Sequence, residues 1–178
     1  MPKKVLLDSK KIDIILNRLV CQLVENHKDF NNTVLIGLQP RGTFLIEKIL
    51  EIFKKNYPSI NIDSGILDFT FFRDDFRRSE KTLKASSTQM NFSVENKDVV
   101  LIDDVLFTGR SIKAAMSSMD SYGRPNSIEL LVLIDRRYKR EIPIQANYCG
   151  AKIDTFKGDR VNVVWNENSD KNVIYIEN

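Results

Sequence analysis

The sequence predicts an α/β protein: a mostly parallel sheet flanked by helices on both faces. Three observations carry this prediction. First, Val99–Ile102 and Leu130–Ile134 are continuous apolar runs. Strands of a parallel sheet covered on both faces read this way, whereas half-exposed strands alternate. Second, segments with helical spacing alternate with these runs, as βαβ connections require. Third, 178 residues with 42% apolar and 29% charged content suit one globular domain, expected to span residues 1–178.

The elements follow in order. Asp8–Ser9 can cap a helix, and Ile12, Ile15, Leu16, Leu19 and Leu23 keep i, i+3, i+4, i+7 spacing, which predicts a helix over 9–28. Thr33–Leu38 is a short apolar strand, and Gly37 to Gly42 makes a loop. Thr43–Tyr57 is a second helix, with Phe44, Leu45, Ile49, Ile52 and Phe53 on one side and Pro58 ending it. Ile62–Phe72 is expected as a long strand, followed by a polar excursion over Arg73–Ser93. Asp98–Asp103 is a buried strand, Gly109–Ser121 a helix, Gly123–Pro125 a break, and Ser127–Asp135 a second buried strand. Shorter strands are expected at Val161–Trp165 and Val173–Ile176.

Composition excludes several classes of function. One His and no CxxC exclude a multi-histidine site and a zinc site on paired cysteines. Cys21 and Cys149 are expected as small core residues in a reducing, cytoplasmic setting. The longest apolar run has five residues, Leu130–Ile134, against about 20 for a membrane helix, so no membrane partner is expected. A net charge of +3 is too small to announce a nucleic-acid binder. Gly37 to Gly42 has the glycine spacing of a P-loop but lacks its Lys, which argues against an NTPase. His27 is expected on the surface near a helix end, and Trp165 in packing.

Chemistry concentrates in Val99–Ser111, VVLIDDVLFTGRS. A buried strand delivers Asp103 and Asp104 to its carboxyl end, where α/β sheets bind ligands. Both side chains reach one crevice only if the backbone turns there. Thr108, Gly109, Arg110 and Ser111 then open a helix, whose free N–H groups favour a phosphate. Carboxylates for vicinal hydroxyls beside amides for a phosphate suit a sugar phosphate.

This stretch resembles the phosphoribosyl-pyrophosphate (PRPP) motif of type I phosphoribosyltransferases. The likeness extends to the pyrimidine-operon attenuation regulators, which double as uracil phosphoribosyltransferases. It rests on Phe69–Phe76 (FTFFRDDF), Val105–Leu106–Phe107, Gly123–Arg124–Pro125, and Ile134–Asp135–Arg136 with Glu141–Ile142–Pro143. The resemblance implies a type I phosphoribosyltransferase fold with a flexible hood near residues 68–93, and a dimer or larger assembly. It implies that Asp103 and Asp104 hold the ribose, and Mg²⁺ indirectly. The PRPP site would be Val105, Leu106, Phe107, Thr108, Gly109, Arg110 and Ser111, with Arg41 and Gly42 meeting the diphosphate. Arg73 in the hood joins Arg41, Asp103 and Asp104 as catalytic candidates, and Asp135, Arg136 and Arg137 shape the base pocket.

The chain departs from the family pattern in four places. Pro40 stands where Thr is usual, Arg137 stands where Gly is usual, and one residue more precedes Glu141. Where the family has Pro-Ile-Arg-Ala-Asp-Tyr, this chain has Pro143-Ile144-Gln145-Ala146-Asn147-Tyr148. The implied function is conversion of uracil and PRPP to UMP and diphosphate, together with UMP-dependent attenuation through a pyrimidine-operon leader mRNA. A regulator that binds RNA without catalysis, and a phosphoribosyltransferase for a purine, both stay open.

Overall fold

In the computed structural model, residues 3–74, 85–156, 158–166 and 171–177 are described. The elements are β1 (Lys3–Leu7), α1 (Ser9–His27), β2 (Thr33–Leu38), α2 (Gly42–Asn56), β3 (Asp63–Leu67), β4 (Asp98–Leu106), α3 (Arg110–Met119), β5 (Ser127–Arg137), β6 (Tyr148–Asp154), β7 (Arg160–Val164) and β8 (Val173–Glu177). Short 3₁₀ turns occupy Thr70–Phe72 and Asp120–Tyr122. Five strands form one sheet in the order β3-β2-β4-β5-β6, parallel throughout. Its central strands β2, β4 and β5 are the continuous apolar runs, with every residue of β2 buried.

The helices divide between the two faces. Ile12, Leu16, Leu19 and Leu23 of α1 and Leu45, Ile49 and Phe53 of α2 pack with Leu35, Val100, Leu131 and Leu133 of the sheet. On the other face, Ile112, Ala115 and Met119 of α3 pack with Val34, Ile36, Leu101 and Val132. Alternate residues of one strand thus feed opposite cores, as a period of two requires. Asp8 caps α1 by accepting from the Lys11 N–H at 2.9 Å.

The boundaries differ from the sequence reading in instructive ways. The strand expected over Ile62–Phe72 ends at Leu67, because the Asp68 carboxylate turns the chain by accepting from the backbone N–H groups of Thr70 and Ser86, each at 2.8 Å. β6 and β1 carried no sequence signal. β1 lies with β8 and β7 in a separate three-stranded antiparallel sheet, in the order β1-β8-β7. Residues 75–84 of the expected hood lie outside the described residues. The excursion's ends meet at one antiparallel bridge, Ile66 to Gln89, with N–H···O distances of 2.9 and 2.8 Å.

Two further expectations are corrected. His27 is not a surface residue. Its side chain is 9% exposed and meets Glu129 Oε2 at 3.0 Å, the Tyr148 hydroxyl at 3.1 Å and the Thr33 hydroxyl at 3.0 Å. Cys21 is not a core residue; it is exposed on α1 beside the Tyr57 hydroxyl, and Cys149 is half-buried. Among the described residues no helix is long and apolar enough to cross a membrane.

Candidate active site

A cleft of about 260 Å³ opens where the carboxyl end of β4 meets the amino end of α3, and Arg41 and Gly42 lie outside its lining. Its lining runs from Asp103 through Val105, Leu106, Phe107, Thr108, Gly109, Arg110 and Ser111 to Ile112, with Arg73 and Asp74 from the excursion. The motif is therefore one wall, not a scattered set. A larger cleft of about 730 Å³ lies between α2 and β3, lined by Leu50, Phe53, Tyr57, Ile60 and Ile62 together with Glu47, Glu51 and Lys54.

β4 continues past the acid pair to Leu106, so the two carboxylates leave the strand on opposite sides. Asp103 is half-buried and reaches the cleft, while Asp104 turns inward and is 4% exposed. The Asp104 N–H donates to Asp103 Oδ1 at 2.9 Å, which holds the pair in place. Asp104 Oδ2 is buried without a hydrogen-bond donor, and the exposed Arg41 guanidinium stands 3.9 Å from it. Burial and the neighbouring Asp104 charge push the Asp103 carboxyl well above the ordinary carboxylate range. Burial also raises Asp104, against the opposing pull of Arg41.

Two glycines set the close approaches. A Cβ at Gly42 would lie 2.3 Å from the Ile102 carbonyl oxygen, so only glycine lets the start of α2 press on β4. Gly109 has φ +90° at the N-cap of α3, and a Cβ there would meet Ile142. The Gln39–Pro40 bond is cis, at the position where the sequence departs from Thr.

On the far side of the motif, the loop after β5 folds back. Glu141 and Ile142 both donate their N–H groups to the Thr108 carbonyl, at 2.9 and 3.0 Å. Arg110 Nε donates to Glu141 Oε2 at 2.5 Å and Nη1 to the Asp74 carboxylate, so it ties the excursion to this loop. Asp135 is buried and pairs with Arg140, whose guanidinium also donates to the Phe107 carbonyl. Arg136 is 7% exposed, with Cζ 3.8 Å from the Phe107 ring centroid.

Arg137 sits apart from these contacts. It ends β5 and makes a bidentate pair with Asp154 on the surface, at 2.7 and 2.8 Å. β5 runs through Arg137, and the left-handed residue that follows is Tyr138, φ 64°. Sequence reasoning missed Arg140, which was one of several equivalent cations in a basic cluster.

The arrangement fits a divalent cation held only in part by protein. Two carboxylates stand together, one with a buried oxygen that no donor meets. Among the described residues no cluster of three or more His, Cys, Asp or Glu side chains could hold a metal alone.

Comparison with known proteins identifies the family. The phosphoribosyl transferase domain model matches residues 3–168. Proteins named bifunctional protein PyrR are similar along nearly the whole chain. That of Desulfosudis oleivorans is 36% identical over 173 residues, 96% of this chain and 93% of the relative. The chain belongs to the PyrR family of phosphoribosyl transferase domain proteins. The PyrR of Caldicellulosiruptor bescii is 38% identical over 174 residues, 98% of this chain and 94% of its own. Among solved structures, a Trypanosoma cruzi hypoxanthine phosphoribosyl transferase superposes with a TM-score of 0.71 at 15% identity, covering 98% of this chain and 91% of its own. That likeness shows the type I phosphoribosyltransferase fold alone. The purine named for such neighbours is theirs.

Proposed function

We propose that this protein transfers the phosphoribosyl group of PRPP to uracil, releasing UMP and diphosphate. One observation carries the reading. Asp103 and the glycine-opened N-terminus of α3 line one cleft, with Asp104 and its Arg41 neighbour beside it, at the strand ends of a PyrR-family chain. In this reading Asp103 accepts hydrogen bonds from the ribose hydroxyls, and the inward Asp104 adds its charge behind it. The amides and hydroxyls of Thr108–Ser111 take the 5′-phosphate, and Arg41 takes diphosphate charge. A uracil ring nitrogen forms its bond to the anomeric carbon as the carbon–oxygen bond to diphosphate breaks. The ring nitrogen's proton leaves to water or diphosphate. Mg²⁺, when bound with PRPP, supplies charge neutralisation of the leaving group. Positioning and charge stabilisation carry the rate, so no histidine base is needed. Arg73 and Asp74 enter from the excursion, and their service is to exclude water from the developing cationic ribosyl carbon.

The test is purified protein with PRPP, Mg²⁺ and each of uracil, hypoxanthine, guanine and adenine. UMP formation exceeding every purine product is expected. No nucleotide from any base overturns the reading, and a purine nucleotide as main product replaces uracil with that base.

The relatives' name announces two functions, which favours a second, regulatory role through leader RNA in the presence of UMP. The charges available for it are thinned. Arg18 donates to the backbone carbonyls of Cys149 and Gly150, and Arg140 is turned into the site. Lys10, Lys11, Lys139 and Lys152 remain, and Lys157 lies outside the described residues. A gel-shift titration with a pyrimidine-operon leader RNA is expected to show tighter binding with UMP than without. Equal binding with and without UMP argues for catalysis alone. The same reading places the protein in the cytoplasm.

A further inference from the structure

Phe107 lies between the two halves of the candidate site. Asp103 and Asp104 precede it, and the phosphate-cradle residues Thr108–Ser111 follow. Both it and Leu106 line the cleft, but Phe107 is 37% exposed whereas Leu106 is 1% exposed and packs in the core. Water-facing aromatic area of this kind at a ligand cleft is an offer of contact.

The ring is not loose. The Arg136 guanidinium lies over one face, 3.8 Å from the centroid. Arg136 is itself buried and pinned, with Nε donating to the Thr155 hydroxyl at 3.2 Å and Nη2 to the Asp159 carbonyl at 2.8 Å. The backbone is held as well, because Arg140 donates to the Phe107 carbonyl while it pairs with the Asp135 carboxylate. Two arginines from the β5 end thus fix one aromatic ring of the β4 end, by its face and by its main chain.

We propose that Phe107 is the platform on which the acceptor base stacks, and that Arg136 and Arg140 are positioning residues that hold this platform. The inference deepens the phosphoribosyltransferase reading and rests on it. A planar base seated on the free part of the ring has its plane set before reaction, so the ordering cost falls on folding and not on the encounter. Stacking tolerates every base, since each has a π face. Phe107 therefore positions the acceptor and leaves its identity to hydrogen-bonding groups elsewhere. This also gives Arg136 a role without base contact: one face of the ring is the cation's.

Calorimetry with UMP, GMP and ribose 5-phosphate separates base contact from sugar-phosphate contact. Phe107→Leu is expected to weaken the better-bound nucleotide about tenfold, the scale of one base–aromatic stack. Ribose 5-phosphate binding stays within about twofold of wild type, as stacking on a base predicts. Phe107→Tyr keeps the aromatic face and restores nucleotide binding. Arg136→Met weakens the nucleotide in the same direction, and the Phe107→Leu/Arg136→Met double variant is no worse than Phe107→Leu alone, because Arg136 acts through the ring. Should Arg136→Met not fold, Thr155→Val removes one of its two anchors and tests the same sign. Equal losses for nucleotide and ribose 5-phosphate, no loss in Phe107→Leu, or additive losses in the double variant overturn the proposal. The wild-type preference between UMP and GMP judges the uracil reading separately. A wild type that gains nothing from any base over ribose 5-phosphate overturns both.

Discussion

Asp104 keeps a carboxylate oxygen out of water with no donor to meet it, and Asp103 stands beside it with its proton affinity raised. Such a pair destabilises the free protein and is relieved by whatever binds. Asp103→Asn should therefore lower kcat/KM for PRPP by about 100-fold or more, the order expected when a preorganised charge contact is lost. The same variant should melt higher than wild type at neutral pH. The sign follows from the raised pKa. A carboxyl with higher proton affinity in the folded state stabilises the fold at low pH, and that contribution is lost as pH rises through the folded value. Thermal melts should show the variant and wild type close together near pH 4, the ordinary carboxylate value, and diverging toward pH 8. Convergence at high pH instead would contradict this account of the pair. Gly42 is the other decisive single residue. Gly42→Ala must move α2 off the Ile102 carbonyl, at a cost of about 1–3 kcal/mol of stability on the scale of an overpacked core, read by denaturant unfolding.

At the scale of elements, legibility followed burial. β2, β4, β5, α1 and α2 announced themselves because apolar periodicity records which face meets the core. The acid pair and Thr108–Ser111 were legible for a related reason, since a strand-end acid and a glycine-opened helix are local features. β1 was not legible. It is mostly exposed and exists through pairing with β8, some 170 residues away, register Lys3 to Glu177. The Arg140 contacts were hidden likewise, because they depend on how the loop after β5 folds against the Thr108 carbonyl. That packing makes Gly109 testable at this scale. Gly109→Ala forces a side chain into a left-handed residue facing Ile142. The strain is about 1–2 kcal/mol. It should appear in steady-state kinetics as a raised KM for PRPP, with the KM for the base nearly unchanged.

Across the whole molecule, the two ends of the sheet have separate duties. The carboxyl ends of β2 and β4 bear the groups we propose for the reaction. The amino ends of β2, β5 and β6 hold the His27, Thr33, Glu129 and Tyr148 network, with Asn26 donating to the Tyr148 hydroxyl at 2.8 Å. Burial, opposed by the Asn26 hydrogen bond, raises the Tyr148 phenol to about 12. His27→Ala should leave kcat and KM unchanged and cost about 1–3 kcal/mol in denaturant unfolding, since Glu129 and Tyr148 lose a buried partner. A change in KM would join the two ends and refute the division. The bridge between Ile66 and Gln89 has a consequence of another kind. It closes the excursion at its neck, and Gln39 reinforces the neck by donating to the Ser87 carbonyl at 2.9 Å. Beyond a closed neck, chain length enters the free energy only as a logarithm, about 0.6 kcal/mol for each doubling. The chain between the two sides of this neck can thus lengthen or shorten across evolution, or in the laboratory, at almost no cost to the sheet.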